Sequence, residues 1–429
     1  MRREVSIMML LSVGMLMSGC ALSSVPEPNG KPTVVPAQRA TVDGETVTAE
    51  DHYDIGELYA EKGKYALAIA EYDEAIRLKS DYADAYDSRG WAYYNRGEYE
   101  KAIADYNYTL KFDDFDGWVY YRRGLTYEGQ GQIDLALADY SQAITIDPEN
   151  EDFFKERGRA YTDLGLIYGD TVYFDKAIAD YSQAIKIWPE DDEAYANRGW
   201  LYSQKGEYGR AYQDYNKALE VYPDSAAAYN NRGMTHLDSG NIDKAEADFK
   251  KADELAPEWG QLHLSRGQFF LRREEWQEAI EEFDEAIRLD PDRAESYSGR
   301  GWAYVKTNEL DKAQADLDNA LRLKPNYTVA YMRRALVYAK KRNFPRAFAD
   351  ANKAIELNPN YAPAYYDRGW IHLMLINDYA AGGEQSKKAV MRRAIPDFEK
   401  ALELSKDPAL RASIQKILND LKKGLEGEK

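Results

Sequence analysis

A Tyr-x-x-Arg-Gly phrase returns at 34-residue spacing, as in Tyr86-Asp87-Ser88-Arg89-Gly90 and Tyr120-Tyr121-Arg122-Arg123-Gly124, and again at Tyr297-Ser298-Gly299-Arg300-Gly301. A fixed period of that size belongs to a stack of like units, because one short unit cannot bury its own apolar face. Aligning the period gives ten units starting at Ala49, Ala83, Gly117, Glu151, Asp192, Ala226, Gly260, Ala294, Thr328 and Ala362. Function in such a chain is sought on shared surfaces rather than in one cleft.

Counting from each start, position 4 is aromatic in eight units, position 8 is Gly in all but the ninth (Ala335), position 11 is Tyr, Phe or His, and position 20 is always Ala. Positions 24 and 27 are usually aromatic and Ala, as in Tyr140 and Ala143, and Pro148, Pro189, Pro223, Pro257, Pro291, Pro325 and Pro359 close units. Helical spacing puts positions 4, 8 and 11 on one face of a first helix and 20, 24 and 27 on one face of a second. A Gly inside a helix costs about 1 kcal/mol against Ala, so its return predicts close approach of the paired helix at Ala68, Ala102, Ala136 and their equivalents. A second glycine at position 15 (Gly63, Gly97, Gly131, Gly165, Gly206, Gly240) is expected to end the first helix as a C-terminal cap. Later units place Glu274, Asn308, Arg342 and Ile376 there.

This pattern resembles the tetratricopeptide repeat over residues 49 to about 408. The resemblance implies an all-α fold, a right-handed superhelical solenoid of about ten helix pairs, with a groove that binds peptides or partner domains and performs no chemistry. Two units carry extra residues, seven near 166–172 and thirteen near 377–393, expected as a lengthened helix or a loop. Leu410, Ile414, Ile417, Leu418 and Leu421 recur at helical spacing, which predicts a capping helix within 409–429.

Arg2 and Arg3 precede an apolar run from Val5 to Met17, followed by Ser18, Gly19 and Cys20. The run is too short for a permanent membrane span. It resembles a bacterial lipoprotein signal over residues 1–19, which implies cleavage before Cys20 and acylation there; Cys20 is the single cysteine of the chain. Ala21 is not the Asp that marks inner-membrane retention in such proteins, so the outer membrane, facing the periplasm, is the expected location. Residues 20–48 read as the lipidated cysteine and a proline-rich tether, which would hold the first unit on the order of 30 Å from the lipid.

The formal charge is −18 and the isoelectric point near 4.9, which argues against nucleic acid as a partner. The charge is uneven: eight basic residues lie between Lys324 and Lys353 against Asp350 alone, and Lys387, Lys388, Arg392 and Arg393 follow. His52 and His263 occupy position 4, and His236 and His372 position 11, so all four read as core aromatics rather than metal ligands or bases. The Asp of position 23 and the Arg of position 7 recur down the stack and read as structural, the Arg as a packing or inter-repeat charge partner. No zinc-ligand spacing, phosphate loop or nucleophile elbow is present. Neither an enzyme, a cofactor nor a small-molecule substrate is expected.

In the family, first-helix positions 2, 5, 9, 12 and 13 line the groove. They carry Trp91, Tyr94, Tyr121, Trp200, Trp302 and Trp370, with Trp118, Tyr53 and Tyr366 beside them, and a column of Arg272, Lys306 and Lys340 at position 13. Exposed aromatics suit a peptide-binding surface. Trp at position 9 could equally pack neighbouring first helices, and a solvated charged face would also explain the basic column. No three consecutive units supply the carboxylate clamp used for chaperone tails. Two functions fit: a lipid-anchored envelope adaptor gathering periplasmic or outer-membrane proteins (peptidoglycan enzymes, pilus or secretion assembly, outer-membrane assembly), or a scaffold in an exopolysaccharide export complex.

Overall fold

The computed structural model describes residues 41–42, 45–112, 116–377 and 383–426. The segment read as a signal, residues 1–19, and Cys20 lie outside them. A two-residue antiparallel pair, Thr41–Val42 with Glu45–Thr46, falls inside the segment read as a tether. The first helix then starts sharply. Thr48 Oγ1 accepts from the backbone N–H of Asp51 while the Asp51 carboxylate accepts from that of Thr48 at 2.7 Å, a reciprocal cap.

The chain divides into two compact bodies, one up to Pro223 and one from Asp224. The N-terminal body holds five helix pairs: Ala49–Glu61 with Tyr65–Leu78, Ala83–Asn95 with Tyr99–Thr109, Gly117–Gly129 with Ile133–Ile146, Glu151–Tyr168 with Thr171–Ile187, and Asp192–Gln204 with Tyr208–Val221. The C-terminal body holds five more: Ala226–Asp238 with Ile242–Leu255, Gly260–Arg272 with Trp276–Leu289, Ala294–Lys306 with Leu310–Leu323, Thr328–Lys340 with Phe344–Leu357, and Ala362–Met374 with Gly383–Leu404. A final helix, Pro408–Glu426, buries Ile414, Leu418 and Leu421 against Ala394, Phe398 and Ala401. Within each body, the members of a pair pack together and each pair packs on the next.

Short turns make the pairs antiparallel. Gly63, Gly97, Gly131, Gly206 and Gly240 take positive φ between 67° and 81°, which lets the chain reverse at no steric cost. Glu274, Asn308 and Arg342 adopt the same left-handed conformation without being glycine. Gly165 does not cap its helix. It is buried within Glu151–Tyr168, and Gly169 at φ 64° makes the turn instead. The seven extra residues therefore lengthen both helices of the fourth pair, exposing Leu166, Tyr168 and Val172.

The reason for the position-8 glycine also differs from expectation. A Cβ on Gly90 would meet the ring of Tyr106, and one on Gly124 that of Tyr140; Gly233, Gly267 and Gly369 face Phe249, Phe283 and Phe398. The obstacle is thus the position-24 side chain, whereas the position-20 alanine contributes only its carbonyl, as at Gly199 and Gly301. In the ninth pair position 24 is Ala351, and there position 8 can be Ala335; both are buried in one cluster. Each buried aromatic stabilises its layer by about 1.5–3 kcal/mol.

Candidate partner-binding surface

The recurring charges are committed to the scaffold. Arg300 donates from Nε and Nη2 to the two oxygens of Asp316 at 2.8 and 2.7 Å, and from Nη1 to Asp284 of the preceding unit. Arg89, Arg123, Arg157, Arg198, Arg334 and Arg368 repeat this fork, reaching forward to the buried Asp of position 23 and back to a polar group at position 25. Burial pushes the Asp105 carboxyl up, and the Arg89 bonds oppose that. The position-7 arginine thus pairs in charge within its own unit and hydrogen-bonds back to the preceding one, where the position-25 group is a carboxylate for Arg89, Arg300 and Arg334.

Histidine and glutamate travel together. Position 23 is Glu only in the first and seventh units, the two with His at position 4. His52 Nδ1 lies 2.7 Å from Glu71 and His263 Nδ1 2.8 Å from Glu282. The Glu282 hydrogen bond holds His263 above the usual imidazole range. His236 and His372 sit 3.9 and 3.8 Å from Asp248 and Asp397, and burial lowers both. Among the described residues, no group of three or more His, Cys, Asp or Glu is placed to hold a metal.

In the N-terminal body, Trp91 stacks on Tyr94 with centroids 5.0 Å apart, and the Arg122 guanidinium lies over Trp91. Arg122 is ion-paired with Asp87. Tyr121 joins exposed Trp118 and buried Phe153, at 5.3 and 5.4 Å. Trp200 packs edge-on against Phe174 at the rim of its own core cluster. An acidic inner row, missed in the sequence, surrounds Arg159: Glu128 accepts from it at 2.8 Å, Glu156 pairs with it at 2.6 Å, and Asp163 is 4.0 Å away. Burial first, then the Glu128 charge, pushes Asp163 up to about 6.

In the C-terminal body position 13 changes sign along the stack, from Asp238 to Arg272, Lys306 and Lys340. Arg272 is 3.3 Å from Asp238, so the first cation of the column is already countered. Lys306 and Lys340 are exposed and make no ion pair among the described residues. Lys306 Nζ lies 4.8 Å from the Trp302 ring centroid, and the Arg333 guanidinium 5.6 Å from the same ring. Trp370 is 39% exposed and meets Tyr366 and Phe398 edge-on. Asp367 was also missed. Burial alone pushes it up to about 7. A periodicity argument misses such residues because it finds what recurs, and these are single departures at positions 6, 12 and 13.

Tetratricopeptide-repeat profiles match residues 56–97, 117–150, 174–206, 192–225, 214–247, 231–294, 298–362 and 351–385. Together they span more than half of the chain. The chain belongs to the tetratricopeptide-repeat family. Tetratricopeptide-repeat proteins bind peptides or proteins in general, and these repeats make the chain a protein-binding scaffold. Human IFIT1, solved as a dimer with m7Gppp-AAAA, is 15% identical over 84% of this chain and 91% of that one, with a TM-score of 0.51; at that identity the likeness shows the fold alone. A tetratricopeptide repeat protein from Parabacteroides merdae is 22% identical over 67% of this chain and 98% of its own, with a TM-score of 0.47. Pseudomonas aeruginosa pilF is 19% identical over 53% and 98%, with a TM-score of 0.41. No curated protein matches. Among the described residues of this repeat protein, no helix is long and apolar enough to cross a membrane.

Proposed function

We propose that this repeat protein is a lipid-anchored scaffold of the cell envelope, tethered through acylated Cys20 to the outer membrane, that gathers periplasmic or outer-membrane proteins on its first-helix columns. The observation that carries the binding role is the division of labour between columns. Arg at position 7 and Asp at position 23 are consumed in holding each helix pair together, and the same arginine reaches back to the preceding unit. Lys306, Lys340 and Trp370 remain exposed on the first helices, at positions that the joints do not use. Aromatic and basic groups left in that state suit an extended acidic segment. The Met17-Ser18-Gly19-Cys20 sequence supports the anchor, and Ala21 the outer membrane.

Capture from detergent-solubilised membranes, read by mass spectrometry, tests the reading with three forms of the chain. Wild type should carry an acylated Cys20, fractionate with outer membrane and capture envelope proteins less well as salt rises. Cys20→Ala should leave the membrane fraction. The triple variant Arg272→Glu, Lys306→Glu, Lys340→Glu should keep its helicity and lose the captured proteins. Unmodified Cys20 with unchanged fractionation of the Ala variant would refute the anchor, and unchanged capture by the triple variant would refute the binding column.

A further inference from the structure

One three-residue arrangement occurs twice, once in each body, and differs at a single position. In the N-terminal body, Trp91 at position 9 lies under Arg122 at position 6 of the next unit, and Arg122 is ion-paired with Asp87 at position 5. In the C-terminal body, Trp302 lies under Arg333, at the same two positions. There position 5 is Ser298. Arg333 Nη1 donates to the Ser298 carbonyl at 2.8 Å and to Ser298 Oγ at 2.9 Å. No carboxylate bonds Arg333 among the described residues, and the other ionisable groups acting on it are Tyr327 and Tyr361.

A recessed guanidinium without an anion is costly, since hydrogen bonds to neutral oxygens replace only part of its hydration. Elsewhere in this body every inward arginine of position 7 has its carboxylate, from Arg232 with Asp248 to Arg368 with Asp397. Arg333, at position 6, has only the two Ser298 oxygens. Lys306, also free of a carboxylate, lies over the same indole. Two cations thus meet at Trp302 where the matching arrangement holds one cation and its acid.

We infer that Arg333, Trp302 and Lys306 form a receptor for a carboxylate of a bound polypeptide segment, which takes the place that Asp87 fills in the N-terminal body. This rests on the reading that the surface binds protein segments, and it names the group that anchors them. The Trp302 ring already carries two cations, so it is engaged with charge rather than open to stack a sugar, which favours a peptide over an acidic glycan. The carboxylate can come from an Asp or Glu side chain or from a chain terminus.

The test uses the full chain and labelled synthetic probes: a peptide with internal Glu residues and an amidated end, a peptide whose sole acid is its C-terminal carboxylate, a neutral amidated peptide, and an oligogalacturonate. At least one acidic peptide should bind, with the neutral peptide at least tenfold weaker, and the one that binds identifies the source of the carboxylate. Ser298→Asp, which rebuilds the Asp87 arrangement, should weaken that binding about tenfold or more while raising or preserving thermal stability. Arg333→Gln should weaken it to a similar extent. Asp87→Ser together with Asn95→Lys, which supplies the counterpart of Lys306, should create a second site for the same probe, removed again by adding Arg122→Gln. Acidic-peptide binding unchanged by Ser298→Asp overturns the inference and leaves the scaffold reading standing. Binding of the oligogalacturonate alone, or of none of the probes, overturns it as well.

Discussion

The ring of Tyr106 fills the space that a side chain on Gly90 would need: a Cβ there would lie 2.8 Å from Cε1 of the ring. The same opposition recurs from pair to pair. Gly90→Ala should therefore destabilise the chain, because overpacking costs about 1–3 kcal/mol against a helical gain of at most about 1 kcal/mol. In a Tyr106→Ala background, which copies Ala335 and Ala351 of the ninth pair, the same substitution should become neutral or stabilising. A double-mutant cycle by urea denaturation reads the change of sign, and a Gly90→Ala cost that is the same in both backgrounds would contradict the ring as its cause.

Arg300 holds both oxygens of Asp316, and Asp316 is 5% exposed. Arg300→Met should cost about 3–5 kcal/mol, since it leaves a buried carboxylate without its partner. Adding Asp316→Leu should recover part of that loss. Arg273→Met, which breaks the more exposed pairs with Glu246 and Glu275, should cost under about 1 kcal/mol. Equal midpoint shifts for the two single variants would contradict the distinction.

The histidines should titrate with opposite consequences. His263 is raised by its hydrogen bond to Glu282, so the folded chain holds that proton more tightly than the unfolded one. Its contribution is complete below about pH 6.5 and is lost as pH rises through the folded value. His236 is lowered by burial; its penalty appears as pH falls below about 6.5, when the unfolded chain takes up the proton first. Tm profiles of His263→Tyr and His236→Tyr between pH 5 and 8 should both diverge from wild type toward the acid end but in opposite directions, His263→Tyr losing stability relative to wild type and His236→Tyr gaining it, on the order of the 1.4 kcal/mol per pKa unit that linkage allows. His236→Tyr should fold, because Tyr fills the same position at Tyr202 and Tyr304.

Asp367, pushed up to about 7 by burial alone, should weaken the fold as it ionises. The folded chain keeps a proton that the unfolded chain gives up near pH 4, so stability should fall between about pH 4 and pH 7. Asp367→Asn should remove that slope, with a gain at pH 8 on the order of 1 kcal/mol or more. A variant less stable than wild type at pH 8 would show that the ionised carboxylate is satisfied in the folded chain.

The period alone determined the all-α class and the ten helix starts, since a column that repeats at helical spacing leaves one way to bury it. It also marked the Arg of position 7 as structural, a packing or inter-repeat charge partner. Gly165 shows where that reasoning ends. It stands in the glycine column, but seven inserted residues let its helix run on to Tyr168, and Gly169 reverses the chain instead. Tertiary packing likewise decided that the position-8 glycine answers to the ring at position 24, because a partner across a helix pair is set by side-chain direction and not by spacing. Single departures from the repeat needed the structure most. Ser298 in place of an acid is one residue among hundreds, and it gains meaning only when Arg333 and Trp302 are found beside it.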